Sequence, residues 1–174
     1  DVDAGLAQGR AAYLLRAQPN LGLSQTPEGR LWRVSAAPLA LPIRTPTAQR
    51  WQDGMTLTGF TLTPGPYRAG DIVPVTLQWQ AQSTAQRDYT LFVHLLGPDG
   101  VIWGQQDRAP APPTTQWPPG TTLTDLYGPT LQLDAPPGRY HVLVGWYAYP
   151  SLERLPLAAG GDAFELGTID VVAP

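Results

Sequence analysis

The chain has 174 residues, a formal net charge of −3 and no cysteine, and it contains 20 prolines, 18 glycines and 43% apolar residues. The apolar fraction is sufficient for a packed core and excludes a disordered chain, while the missing cysteines exclude disulfides and thiolate metal sites. All eleven basic residues are arginines that stand singly. A nucleic-acid surface needs clustered positive charge, so we expect no nucleic-acid partner.

The first 49 residues are predicted to form a segment that precedes the main domain. Within Val2–Arg16 the pattern predicts a short helix, with Asp3 as its N-cap, followed by a brief strand. A second strand is predicted at Leu31–Ser35. Prolines at every fourth position from 38 to 46 disfavour a helix and predict an extended strap that lies on the domain. Because the sequence starts without methionine, we expect it to be a piece of a longer protein.

Residues 50–174 are predicted to form one β-sandwich domain. Ile72–Ala81 alternates apolar and polar residues with the period of a half-buried antiparallel strand. In Met55–Thr63 and in the last strand the apolar phase slips at Gly59 and at Gly167, which predicts two β-bulges. The predicted core contains Val73, Val75, Leu77, Trp79, Val142, Val144 and Trp146.

Two local motifs strengthen this prediction. The sequence GPDG at 97–100 is a strong turn signal and predicts a hairpin with arms Tyr89–Leu96 and Val101–Gln106. Tyr140 directly follows a Pro-Gly turn and precedes an alternating strand, as in the tyrosine corner of Greek-key sandwiches. The fold class is therefore all-β: a two-sheet antiparallel sandwich, immunoglobulin-like or jelly-roll, with the short helix and the strap at its N-terminus.

Candidate catalytic and metal sites are few. His94 and His141 lie on neighbouring predicted strands and are candidate ligands of one metal together with Asp107 or Asp125; the alternative is that each is a single polar residue on a sheet face. Loop oxygens of the same two aspartates also form a candidate calcium clip. The sequence has no Gly-x-Ser-x-Gly elbow, phosphate loop or dinucleotide fingerprint. We therefore predict no catalytic residue, no resident metal and no cofactor.

Aromatic residues in or near loops are the candidate ligand-binding groups. Exposed rings flanked by polar side chains suit sugar binding, because ring faces pack on C–H groups while polar groups bond hydroxyls. The alternative is that these rings cover the ends of the sandwich. The predicted ligand-binding residues are Trp103, Trp117, Asp107, Arg108, Tyr127 and Trp51, with the two tryptophans named first as the leading ring donors.

Several segments together resemble a known family. They are LQW at 77–79, DYTLFVHLLGPDG at 88–100, QQD at 105–107, W-x-x-G at 117–120, PPGRYHVLVGWY at 136–147 and ERLPL at 153–157. This set is similar to the C-terminal β-sandwich of multi-pass membrane glycosyltransferases from Chloroflexi-like bacteria, which are related to protein mannosyltransferases. The N-terminal GRAAYLL resembles the GRPVYLL-like segment that precedes that sandwich, with Ala11 and Ala12 in place of Pro-Val. His94 and Asp107 are landmarks of this resemblance.

The resemblance implies a function without chemistry of its own. In that family the catalytic acids belong to the membrane domain, so no catalytic residue carries over to this chain. It implies an extracytoplasmic accessory domain that contacts a glycan or protein acceptor, tethered to the membrane through the parent protein and monomeric in isolation. Two other readings stay open: a carbohydrate-binding module of a secreted enzyme, and a purely structural or protein-interaction sandwich.

Overall fold

A computed structural model describes residues 22–25, 32–35 and 42–173. This part of the chain is built from strands and two short 3-10 turns, and none of it forms a helix long and apolar enough to span a bilayer. The strands are β1 (Gly22–Gln25), β2 (Trp32–Ser35), β3 (Thr45–Arg50), β4 (Met55–Leu62), β5 (Val75–Ala81), β6 (Tyr89–Leu96), β7 (Ile102–Arg108), β8 (Thr122–Tyr127), β9 (Thr130–Leu131), β10 (Gly138–Ala148), β11 (Glu153–Arg154) and β12 (Phe164–Val171).

Two antiparallel sheets form the sandwich. One has four strands in the order β3-β4-β5-β8. The other has six: the order β11-β10-β6-β7-β9, with β12 also paired to β10. Strands β1 and β2 form a separate antiparallel hairpin. The predicted all-β, two-sheet antiparallel sandwich is therefore confirmed.

The inner faces of the two sheets form a single core, as the alternation predicted. All seven predicted core residues are at most 2% exposed. A row of four indoles crosses this core through edge-to-face contacts. Trp51 lies 5.2 Å from Trp79, Trp79 lies 4.8 Å from Trp146, and Trp146 lies 6.0 Å from Trp117, all between ring centroids. Such aromatic pairs add to the energy of burial, so the row links β5 to β10 across the sandwich.

The local predictions from glycine and turn residues hold. The hairpin joins β6 to β7, and Gly100 has the positive φ of 78° that this turn requires. The register of β4 against β5 shifts between Leu57 and Gly59. A second shift occurs in the pairing of β12 with β10, where Gly167 has a φ of 145°. Glycine tolerates these conformations because it lacks a Cβ, and both bulges are confirmed.

The N-terminal predictions have mixed outcomes. The helix and strand predicted within Val2–Arg16 lie outside the described residues, whereas the predicted strand Leu31–Ser35 is present as β2. Residues 45–50 are extended, as predicted for the strap, but they form the edge strand β3 rather than lie on a sheet. Pro46 is tolerated there because an edge strand needs no ladder bond on its open side. The four-stranded sheet thus includes residues 45–49, although the sandwich domain was predicted to begin at residue 50. The division of the chain into an N-terminal segment and a sandwich domain otherwise stays a prediction.

The tyrosine corner is present and has a counterpart. Tyr140 is fully buried, and its hydroxyl donates to the carbonyl oxygen of Pro136 at 2.7 Å. Tyr67 makes the same four-residue connection to the carbonyl oxygen of Thr63 at 2.8 Å. Burial raises the pKa of Tyr67 to about 12, with Asp71 adding to the effect, so this phenol stays a donor. Each bond fixes the chain where it enters or leaves a strand.

Removing the Tyr140 hydroxyl tests the corner. We expect Tyr140→Phe to lower the free energy of unfolding by about 1–3 kcal/mol, because the partly buried Pro136 carbonyl loses its donor. Urea denaturation at neutral pH measures the loss. Tyr149→Phe is the matched control, since Tyr149 is 76% exposed and its hydroxyl has no partner among the described residues. Equal stability of the two variants would show that the corner bond contributes nothing.

Candidate functional site

A cavity of about 200 Å³ lies between the sheets, on the side where β7 faces β8. Residues from both sheets and from the loop after β7 enclose it. Its aromatic walls are three indoles of the core row and one phenol, and an arginine and an aspartate stand at its opening. These six residues are Trp79, Trp117, Trp146, Tyr127, Arg108 and Asp125.

The aromatic walls arise from strand alternation and one loop. Trp79 on β5 and Trp146 on β10 occupy inward positions of facing sheets, which brings their rings together. Trp117 enters from the loop after the 3-10 turn Thr114–Gln116. Its Nε1–H donates to the carbonyl oxygen of Pro112 at 2.8 Å, which anchors the ring over Trp146. The floor is therefore rigid and apolar.

Polar residues of β7 connect the two sheets beside the cavity. Arg108 and Gln106 pair with the core residues Leu91 and Val93, so they share the inward face. Arg108 Nη2–H donates to Asp125 Oδ1 at 2.6 Å and to the carbonyl oxygen of Leu126 at 3.2 Å. These side chains satisfy the open edge of β8, which a neighbouring strand would otherwise pair.

Gln106, two residues before Arg108 on β7, makes a similar contact with the other sheet. Its Oε1 accepts from the Gly128 N–H at 2.5 Å. The inward positions of β7 are polar because they face the edge of another sheet instead of its apolar face. We name Gln106, Arg108 and Asp125 the inter-sheet clasp.

The charges at the opening balance each other. The Arg108 side chain is 33% exposed and that of Asp125 is 37% exposed. Burial would lower the pKa of Arg108, but the neighbouring Tyr127 and Asp125 outweigh it and raise that pKa. The Arg108 Cζ lies 4.6 Å from the centre of the Tyr127 ring. Burial, and then Asp125, raises the pKa of Tyr127 well above its usual value, so the phenol stays protonated.

Two of the indoles that line the cavity have an N–H group without an acceptor. Nε1 of Trp79 and Nε1 of Trp146 are buried and lack a partner among the described residues. Both indoles line the cavity. Buried polar groups in folded proteins are nearly always paired; these two nitrogens are exceptions and are inaccessible from the cavity.

Three of the six predicted ligand-binding residues meet at this cavity: Trp117, Arg108 and Tyr127. The expected exposure of their rings is wrong for Trp117 and Tyr127, which are 2% and 1% exposed. It is also wrong for Trp51, which is 3% exposed, packs on Trp79 and does not line the cavity. A position in or near a loop did not predict that a ring is exposed, because burial depends on what the loop packs against.

The other two predicted residues lie elsewhere. Trp103 is on β7, not in a loop; it is partly buried, and its Nε1 lies 3.0 Å from both carboxylate oxygens of Asp99. Asp107 is adjacent to Arg108 in sequence, but strand alternation places it on the outer face of the sheet. The contact of Trp103 and Asp107 with a ligand stays a prediction. From the sequence, Trp79 and Trp146 are predicted as core residues only; in the structure they also line the cavity.

The outer face of the six-stranded sheet carries a second cluster, built around Phe92. Phe92 is 1% exposed and lies beside His94 and Tyr147, at centroid distances of 4.5 Å and 6.5 Å. The Arg154 Cζ lies 4.6 Å from the Phe92 ring centre. His94 Nε2 is 3.2 Å from Asp107 Oδ1. This outer cluster therefore gives His94 an ordinary partner on the sheet face.

The metal hypotheses receive no support from these positions. His141 pairs with Glu165 at 3.0 Å, and Asp125 pairs with Arg108 in the clasp. Within residues 42–173 and the two short N-terminal strands, no three His, Asp or Glu side chains gather as a metal-binding group. The two histidines thus lie beside separate carboxylates, Asp107 and Glu165, on the same sheet face.

His94 predicts a pH dependence of stability. Burial lowers the pKa of His94, while Asp107 opposes this and Arg154 adds to it. Below about pH 6.5 the unfolded imidazole binds a proton that the folded one does not, so the free energy of unfolding falls as the pH drops from neutral. We expect His94→Gln to lose this part of the dependence in urea denaturation between about pH 7.5 and pH 5.5. His141→Gln is the control for the loss of a histidine that is half exposed. If the free energy of unfolding of His94→Gln varied with pH as it does in the parent, His94 would not be the cause of the dependence.

A second depression, of about 330 Å³, lies at one end of the sandwich. Its polar groups already bond to one another. The Tyr89 hydroxyl donates to Asp53 Oδ2 at 3.0 Å, and Arg87 pairs with Glu153 at 3.3 Å. Burial, and then the bond to Asp53, raises the pKa of Tyr89 to about 12. Among the residues that line this depression only Tyr89 is aromatic, so it is a weaker candidate for a ligand site than the inter-sheet cavity.

Fold and cavity together define an antiparallel β-sandwich domain with an aromatic inter-sheet cavity. No protein-family model and no curated protein sequence matches the chain. Among solved structures, the C-terminal domain of Wzt is 11% identical, with a TM-score of 0.47, over 75% of this chain and 80% of that one.

Two β-glucuronidases also match. One from glycoside hydrolase family 2 is 13% identical, with a TM-score of 0.43, over 61% of this chain. The enzyme from Bacteroides uniformis is 13% identical, with a TM-score of 0.38, over 64% of this chain. The chain spans only 10% and 14% of the lengths of these two proteins. At such identities the likeness concerns the β-sandwich fold and carries nothing about function.

Proposed function

We propose that this chain is a non-catalytic accessory domain that binds a glycan in its inter-sheet cavity. The observation that carries the proposal is the cavity itself: three indoles and one phenol line it, and the Arg108–Asp125 pair stands at its opening. Aromatic walls pack against the C–H groups of a sugar, while a few placed polar groups bond its hydroxyls. The opening pair supplies one donor group and one acceptor group for that purpose.

The accessory role follows from the family resemblance of the sequence. We propose that the domain belongs to an extracytoplasmic part of a membrane glycosyltransferase, where it holds a glycan or a glycosylated acceptor near the membrane domain. An accessory domain must release what it positions. Packing on a few rings leaves a small surplus after the entropy of association, so the expected dissociation constant is about 0.1–1 mM. Its contact with the membrane is through the parent protein, and the isolated domain is a monomer.

Blocking the opening tests the site without disturbing the core. Ala109 follows Arg108, lines the cavity and is exposed, so Ala109→Leu narrows the entrance. Oligosaccharides titrated against the purified chain should bind the parent, and Ala109→Leu should weaken that binding about tenfold or more, the effect of about 1.4 kcal/mol of lost contact. Saturation-transfer NMR is a suitable measurement at millimolar affinity.

Ala159→Leu is the matched control, because Ala159 is an exposed loop residue outside the cavity lining. It should bind like the parent. Equal weakening in both variants would argue against this cavity as the site. Absence of binding to any glycan at several millimolar would overturn the proposed function in favour of a structural sandwich.

A further inference from the structure

We propose that the depression at the end of the sandwich is a second ligand site, which binds a saccharide unit together with the turn at its rim. This rim turn consists of residues 149–152 and joins two residues that line the depression, Ala148 and Glu153. The site lies outside the inter-sheet cavity, so the inference goes beyond the proposed function. Three features carry it: strain in the rim turn, apolar side chains exposed there, and polar groups in the depression.

The two non-glycine residues with positive φ in the described part of the chain both stand at this depression. Asp53, with a φ of 57°, lines it, and Leu152, with a φ of 60°, directly precedes the lining residue Glu153. Aspartate visits this left-handed region readily, whereas the conformation is strained for leucine because its Cβ crowds the following carbonyl oxygen. Strained backbone of this kind is concentrated at functional sites.

The rim turn is fixed by hydrogen bonds and yet exposes its apolar side chains. The Leu152 N–H donates to the carbonyl oxygen of Ala148 at 2.8 Å, and the Ser151 hydroxyl donates to the same oxygen at 3.2 Å. Tyr149 is 76% exposed and Leu152 is 63% exposed. Glycine at 152 would relieve the strain, so leucine there brings no advantage to the fold. Its side chain therefore points to a contact with a molecule outside the chain.

The apolar surface of the rim turn suits a small ligand. A specific protein–protein interface buries about 1,200–2,000 Å², far more than one phenol ring and one leucine side chain can supply. A sugar unit needs little apolar area, because the C–H groups of its ring pack on a single aromatic or aliphatic side chain. The depression measures about 330 Å³, at the lower end of the range of about 300–1,000 Å³ for small-molecule sites.

The depression supplies the polar groups that sugar hydroxyls require. Gln52 and Gln86 are exposed and line it. Their backbone N–H groups hold them in place through bonds of 2.9 Å to the Pro156 carbonyl oxygen and to Asp53 Oδ2. Their side-chain amides make no hydrogen bond with the described residues. Each amide offers two donors and one acceptor oxygen, which suits adjacent hydroxyls that both donate and accept.

An ion pair beside the two amides adds further polar groups. Arg87 and Glu153 line the depression and lie 3.3 Å apart, with side chains 58% and 70% exposed. A pair this exposed contributes little to stability, so its members can bond to a ligand at small cost. The polar groups and the rim turn together offer a sugar both hydroxyl partners and a C–H contact.

The side-chain amide signals of the ¹⁵N-labelled chain test the inference without any substitution. D-Glucose, D-mannose, D-galactose, maltose and cellobiose are titrated separately at millimolar concentrations. We expect at least one of these sugars to shift the signals of Gln52 and Gln86. Gln105 is the internal control, because it is exposed on β7 and does not line the depression. Its signal should stay in place.

Leu152→Gly separates binding from folding. Because the strain is relieved, the free energy of unfolding should equal or exceed that of the parent, while the dissociation constant for the sugar should rise about three- to tenfold through the lost contact. Leu133→Gly is the matched control, since Leu133 is 88% exposed but precedes β10, at the opposite end of that strand from the rim turn. It should bind sugar like the parent. A loss of stability in Leu152→Gly without a loss of binding would show that the leucine serves the fold and overturn the inference.

Ala109→Leu distinguishes this site from the inter-sheet cavity. Shifts of Gln52 and Gln86 that persist in Ala109→Leu support a second site. Glycan binding that Ala109→Leu weakens, without shifts at Gln52 and Gln86 in the parent, overturns the inference and leaves the proposed function standing. Shifts that vanish in Ala109→Leu overturn the assignment of a separate site. Absence of binding by every sugar overturns both proposals.

Discussion

Trp79→Ala is expected to lower the free energy of unfolding by about 3–5 kcal/mol, the cost of removing a large buried aromatic side chain. Trp79 is 2% exposed and stands in the middle of the indole row, in contact with Trp51 on one side and Trp146 on the other. Its loss leaves a void between the sheets that two rigid rings cannot fill. Urea denaturation followed by circular dichroism measures the effect.

Trp103→Ala is the comparison for this substitution. Trp103 is only partly buried and lies near the hairpin turn, so its removal should cost less than half as much. The denaturant slope should stay close to that of the parent in both variants, because the surface exposed on unfolding hardly changes. Equal losses in the two variants would mean that the indole row is not central to the core.

Gly145→Ala is expected to lower the free energy of unfolding by about 1–3 kcal/mol, the cost of forcing an extra methyl group into a packed site. Local propensity alone predicts the opposite sign, since glycine in a strand is less stable than alanine by about 0.5–1 kcal/mol. In the folded chain, however, a Cβ at Gly145 would lie 2.5 Å from the Phe92 ring and 2.7 Å from the backbone carbonyl oxygen of Asp162. The carbonyl cannot rotate away as a side chain can.

A double-mutant cycle isolates the contribution of the ring. Gly145 and Phe92 are directly paired across β10 and β6. In a Phe92→Leu background the penalty of Gly145→Ala should shrink, because the ring contact is gone, but not vanish, because the Asp162 carbonyl remains. Equilibrium denaturation of the four proteins gives the coupling. A gain in stability from Gly145→Ala in the parent would show that the outer cluster is loosely packed.

The candidate site shows where inference from the sequence stops. Arg108 is predicted as a ligand-binding residue together with Trp103 and Asp107, yet neither of those two residues lines the cavity. The residues that Arg108 meets are 17 and 19 positions along the chain, on the edge of the other sheet: Asp125 in the clasp and Tyr127 beneath the guanidinium. A contact between two sheets leaves no periodic pattern in the sequence of either strand, so the partners of Arg108 could not be predicted.

The sequence by itself determined the features that depend on a few neighbouring residues. The alternation of β5 placed Trp79 inside, the GPDG turn set the hairpin, the Pro-Gly turn before Tyr140 set the tyrosine corner, and two glycines set the bulges. Each follows from local backbone sterics and the two-residue period of a strand. These features sufficed to predict a two-sheet sandwich.

Only the tertiary structure decided which surfaces are covered. Trp51 and Trp117 are buried because distant strands pack on them, and Phe92 is buried on an outer face because Gly145 and Arg154 lie against it. The cavity exists because the edge of one sheet meets polar residues of the other. Burial is a property of pairs of segments far apart in sequence, and each segment's own pattern is compatible with several partners. The physical reason is that local sterics fix the direction of a side chain, while packing between sheets fixes what it meets.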